Sequence, residues 1–192
     1  MFYLLSKVNK TFFYVSFIFM LVSCYNDGKS QIIKTMMKRK VSISLEKMYC
    51  IGNDEDCIEP NLKGYKWLIV YSLEGCKPCI VSNVCDWENF QHNCKENGMD
   101  FSVVSIFETK SRQIDELCNA YHELNVSSMI YVDTTKVFCD ENPHIPEKNL
   151  YRTFLIDSSN NVILVGNPIR NIAIEQMFYD IMKKAKKRKG TD

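Results

Sequence analysis

Two cysteines with two residues between them, in Cys76-Lys77-Pro78-Cys79, are the densest chemistry in the chain. At a helix start their sulfurs lie close enough to bond, and the unpaired N–H groups there favour the thiolate of the first cysteine. Lys77 adds positive charge, and Pro78 suits a first helical turn because its missing N–H would have no intrahelical partner. Such a pair can cycle between dithiol and disulfide. A zinc module would present a second closely spaced ligand pair. Cys85 and Cys94 do not form one: on a single helix over 78–97 they are separated by about 13 Å of rise and face opposite sides. His92, His122 and His144 are isolated in sequence, and Leu73 stands where a peroxidase would need Thr or Ser. No metal site is expected.

The elements around the pair follow from hydrophobic patterning. Lys66–Leu73 has a continuous apolar centre of β-formers, as in a strand buried on both faces, and it leads directly into Cys76. From Pro78 to about Asn97, Ile80, Val84, Trp87, Phe90 and Cys94 recur at three- and four-residue steps, the mark of a helix with one buried stripe. Cys94 shares that stripe, whereas Cys85 falls on the polar side, free to meet a cysteine elsewhere. Phe101–Phe107 and Met129–Val132 read as strands, Ser111–Leu124 as a helix, and Asp133–Asn149 as a polar loop. Tyr151–Asp157 and Val162–Val165 flank Ser158-Ser159-Asn160-Asn161, a turn of hairpin composition. Ile172 to about Lys187 reads as a closing helix whose basic end complements its dipole. Val41–Met48 alternates as a half-buried strand would. Two bridges, Cys50 with Cys57 and Cys118 with Cys139, are candidates.

With 192 residues, 46% hydrophobic and net charge +1, the chain has room for one domain and no basic face for nucleic acid. Nine cysteines point to an oxidising compartment. Lys7 and Lys10 precede an uncharged run from Thr11, about fourteen residues counted through Cys24 and short of the roughly 20 that span a bilayer. That is an export signal in form. Residues 1–23 read as the signal, 24–40 as a polar tether and 41–192 as the domain. Leu21-Val22-Ser23-Cys24 resembles the bacterial lipobox, which implies lipid on Cys24 and a membrane anchor.

Over residues 41–187 the chain resembles the thioredoxin-like superfamily, in particular its bacterial extracytoplasmic, membrane-tethered thiol-disulfide oxidoreductases. Cys76-Lys77-Pro78-Cys79 after a hydrophobic strand carries the resemblance, with Thr153-Phe154-Leu155-Ile156-Asp157 leading through a turn to Val162-Ile163-Leu164-Val165-Gly166. It implies an α/β fold, a central mixed sheet flanked by helices, here with an N-terminal strand extension. Cys76 would attack and Cys79 resolve, with Lys77, Pro78, Arg152 and Thr153 facing the substrate. The partners implied are thiols or disulfides of exported proteins and a further redox protein in the periplasm, with no cofactor. Three positions depart from the family: Gly75 replaces an aromatic residue, Val70 a buried acid, and Arg152 the cis-proline. Glu74 is the candidate substitute proton acceptor. The alternative is a non-catalytic thioredoxin-fold binding module in which the same two cysteines form a structural staple.

Overall fold

The computed structural model describes residues 28–52, 62–72 and 77–189. The chain divides into two units, Met1–Met36 and Met37–Asp192. Of the first, residues 28–36 are described and form helix α1. The second runs β1 (Tyr49–Ile51), β2 (Lys66–Ser72), α2 (Lys77–Glu96), β3 (Ser102–Glu108), α3 (Ile114–Glu123), β4 (Ile130–Asp133), α4 (Val137–Glu141), β5 (Thr153–Ile156), β6 (Val162–Val165) and α5 (Ile172–Lys189). The strands form one sheet in the order β1-β4-β3-β2-β5-β6. β2, β3 and β4 are parallel, while β1, β5 and β6 run antiparallel to their neighbours. This is the mixed sheet with flanking helices that the sequence implies.

β2 sits inside the sheet because both of its faces are apolar. Trp67 and Ile69 pack with Trp87 and Cys94 of α2, Phe178 of α5 and Leu155 of β5. The rings of Trp67 and Trp87 lie 5.5 Å apart, and Phe101 meets Phe178 edge-on at 5.1 Å. Leu68 and Val70 point the other way and are equally buried. A second cluster joins Val81 and Val84 of α2 to Phe107, Leu117, Tyr121 and Ile130, which packs α3 against α2. Glu88 ties α2 to the loop before β4, its Oε1 accepting from both the N–H and the hydroxyl of Ser127 and Ser128. Among the described residues no helix is long and apolar enough to cross a membrane.

Three segments differ from their sequence patterns. Val41 and Leu45 are buried as alternation requires, yet 41–48 is not a strand; it ends in a 3-10 turn, Leu45–Lys47. At Ser42 its backbone is met by a side chain. Asn142 Oδ1 accepts from Ser42 N at 2.8 Å, and Asn142 Nδ2 donates to Ser42 O at 2.9 Å. The polar stretch 133–149 contains the short helix α4, started by Asp133, whose carboxylate accepts from the N–H groups of Thr135, Val137 and Phe138. Within the stretch read as a tether, 28–36 is helical and the chain joins the sheet from Lys38. Lys38 N donates to Val162 O, Val162 N to Arg39 O, and Val41 N to Asn160 O.

Glu141, the last residue of α4, holds the 42–47 segment by accepting from Lys47 Nζ (2.6 Å), Ser44 Oγ (2.7 Å) and Ser42 Oγ (2.8 Å). Those donors, Lys47 first, hold its carboxyl down at about 2, below an ordinary value of 4.5. A carboxyl whose value is lowered by folding contributes stability above the unfolded value, and that contribution is lost as pH falls towards the folded one. Amide exchange across Ser42–Lys47, corrected for intrinsic rates, should therefore accelerate relative to β2 between about pH 4.5 and 2. Glu141→Gln should remove the pH step.

Candidate active site

The three parallel strands end side by side on polar residues, with Ser72 in register with Glu108 and Glu108 with Asp133. The carboxyl ends of strands are where open α/β sheets bind and react. β2 leads there towards Cys76, which lies outside the described residues together with Cys24, Cys57, Glu74 and Gly75. α2 opens at Lys77 and Pro78, and Cys79 in its first turn is exposed and disulfide-bonded. The Cys79 carbonyl accepts from Ser82 Oγ at 2.9 Å and from Asn83 Nδ2 at 2.8 Å. Asn83 Oδ1 in turn accepts from Arg170 Nη2. Arg170 ends the 3-10 turn Pro168–Arg170 just before α5. One amide side chain thus links a guanidinium to the first turn of α2, where positive charge and helix N–H groups favour a thiolate. Sequence reasoning missed Arg170, which is 91 positions from Cys79 by numbering and carries no local motif.

Arg152 is placed differently from its expected role facing a substrate. It is 2% exposed and turned inward onto Glu108. Its Nη1 and Nη2 donate to the two carboxylate oxygens at 2.5 Å each, a bidentate pair. Leaving one charge of a buried pair alone costs about 3–5 kcal/mol, whereas an exposed ion pair returns about 0–1 kcal/mol. Arg152 is therefore held by Glu108 and does not act as a free cation for an exposed thiolate. Its peptide bond is trans, as are the others among the described residues, and its carbonyl accepts from Val70 N at 2.9 Å. Thr153 follows as the first residue of β5, half-buried and paired with Ile69. Glu108 was not singled out in the sequence; the available signal was a lone acid at the end of an apolar strand.

Cys139 completes this cluster. Its Sγ donates to Glu108 Oε1 at 3.1 Å and accepts from Arg152 Nη2 at 3.2 Å. Burial and then the Glu108 carboxylate push the thiol up to about 11, with Arg152 opposing. Cys139 is a free thiol, as is Cys118, so the bridge expected between them does not form. Cys118 lies in α3 against the second hydrophobic cluster, while Cys139 is committed to Glu108. Cys94 is a buried core thiol, as the apolar stripe implies. Cys85 is half-buried rather than on a polar face, because α3 covers that side of α2 and brings Leu124 O to 4.0 Å from its Sγ. Cys50 carries a thiol and is not half of a disulfide, so the bridge expected from it to Cys57, which lies outside the described residues, does not form either.

No protein-family model and no curated protein matches the sequence. Among solved structures, it is similar to a candidate thiol-disulfide oxidoreductase from Bacteroides vulgatus at 16% identity and a TM-score of 0.48, over 64% of this chain and 76% of that one. A thioredoxin-like protein in its oxidised form matches at 13% identity and a TM-score of 0.49, over 78% and 97%. A candidate thiol:disulfide interchange protein, DsbE, from Chlorobium tepidum matches at 14% and 0.46, over 77% and 96%.

The cluster predicts how Cys139 reacts. Glu108→Gln removes the carboxylate that raises the thiol and leaves Arg152, which lowers it, 3.2 Å from the sulfur. At pH 8 the variant should alkylate at Cys139 several-fold faster than the parent, read by peptide-resolved mass spectrometry, because the thiolate is the nucleophile. An unchanged rate would show that Glu108 does not control this thiol.

Proposed function

We propose that the protein is a lipid-anchored, extracytoplasmic thiol-disulfide oxidoreductase that acts on disulfides of exported proteins through Cys76 and Cys79. The observation that carries this reading is the exposed, disulfide-bonded Cys79 in the first turn of the helix after the central parallel strand. An exposed disulfide is more readily reduced than one buried as a staple. In the reduced protein, the Cys76 thiolate attacks one sulfur of a client disulfide, and the client's other sulfur leaves as a thiolate. Cys79 then attacks Cys76, releasing the second client thiolate and re-forming the internal disulfide. The client gains two electrons and the dithiol loses two. A separate dithiol protein would restore the reduced state, and reversal of the same steps oxidises a client. Arg170, held through Asn83, supplies positive charge near the helix start.

One observation favours a non-catalytic binding module instead: Arg152, at the family's cis-proline position, is sealed onto Glu108. The reduction potential of the pair separates the readings. A catalytic pair should fall between about −270 and −120 mV, and a structural staple below about −300 mV.

Cys79→Ser should accumulate mixed disulfides with exported proteins on non-reducing gels, whereas Cys76→Ser should accumulate none. Trapping through Cys85 or Cys139 would overturn the assignment. The anchor is tested separately: Cys24→Ala should abolish incorporation of labelled fatty acid and release the protein from membranes.

A further inference from the structure

A cavity of about 530 Å³ opens at the carboxyl ends of β2, β3 and β4. It lies within the 300–1,000 Å³ that houses small ligands in proteins. Glu108, Arg152 and Cys139 line it, as does Asp133, and the two acids are already engaged. Asp133 accepts three backbone N–H bonds, and Glu108 is paired with Arg152. Three further cations line it from three different segments: Lys110 after β3, Lys136 at the start of α4, and Lys148 before the 3-10 turn Asn149–Tyr151. None of the three has an acidic partner among the described residues, and Glu147 is the one remaining acid in the lining. Lys136 holds a left-handed backbone, φ 63°, unusual for a side-chain-bearing residue. The buried Arg152 also keeps an unmet donor, since its Nε finds no acceptor. Thr109, Gln113, Thr134 and Asn149 supply uncharged polar groups.

We propose that this cavity binds a small molecule of about tripeptide size carrying two or three separate carboxylates, held by Lys110, Lys136 and Lys148 above the Glu108–Arg152 pair and Cys139. Separate carboxylates match ammonium groups contributed by separate segments better than a single compact anion does. The neutralised floor asks for no cation, so a metal is not the occupant. The inference is independent of the redox reading.

The test uses the full chain at constant pH and ionic strength, with the rate of Cys139 alkylation by iodoacetamide as readout and Cys85 as internal reference. The probes are tricarballylate, the tripeptide Glu-Glu-Glu, and sulfate. Tricarballylate or the peptide should slow alkylation of Cys139 saturably, leave Cys85 unchanged, and exceed sulfate. Protection by the tricarboxylate alone marks a free organic acid as the source, and protection by the peptide alone marks an acidic peptide. Lys136→Gln/Lys148→Gln should raise the half-protecting concentration about fivefold, given the modest strength of exposed ion pairs. Retained protection in that variant, equal protection by sulfate, or no protection by either carboxylate probe overturns the proposal. An unchanged Cys85 rate in the variant shows that the fold is intact.

Discussion

Polar groups at the end of a buried sheet must be paired where they stand, and that constraint organises one whole end of this protein. β2, β3 and β4 finish in register on Ser72, Glu108 and Asp133. Asp133 is satisfied by starting α4, which places Cys139 and Asn142. Glu108 is satisfied by Arg152, which fixes where β5 begins and how it meets β2. Asn142 and Glu141 then take hold of the 42–47 segment on the far side of α4. Removing either member of the Glu108–Arg152 pair would disturb a chain of contacts, because a buried lone charge is worse than no charge.

Much of this fold was legible because hydrophobic periodicity reports burial. Trp67–Val70 could be read as a two-sided buried strand, and the stripe through Val84, Trp87 and Cys94 as a helix face, since each pattern has one efficient packing solution. The same logic misread 41–48: Val41 and Leu45 are buried, but alternation says nothing about whether a strand or an asparagine amide meets the backbone between them. Cys85 was misread because a helix face is polar or apolar only relative to what covers it, and α3 comes from more than twenty residues later. α4 was invisible for a further reason. Its stability comes from a cap donated by the end of a strand, and five residues leave no periodicity to detect.

The candidate site divides along the same line. The cysteine pair was legible because two cysteines and a helix start are adjacent in sequence. Its surroundings were not, because Arg170 and Glu108 arrive through the tertiary fold. The outcome is an electrostatic division of labour among the guanidinium groups. Arg152 is committed to the half-buried carboxylate of Glu108, and Arg170 remains exposed beside the first turn of α2. A family resemblance alone would have assigned Arg152 to the substrate and left Arg170 unmentioned.

The strip formed by residues 38–41 along β6 has a consequence for self-association. An uncovered edge strand presents a row of free N–H and C=O groups on which a second chain can add, the first step of sheet-to-sheet polymerisation. Here the groups of Val162 and Asn160 are already occupied by Lys38, Arg39 and Val41. The opposite edge, β1, is three residues long, too short a template for a growing ladder. Residues 38–41 thus close off the start of the four-residue strand β6, leaving the sheet no long open edge among the described residues.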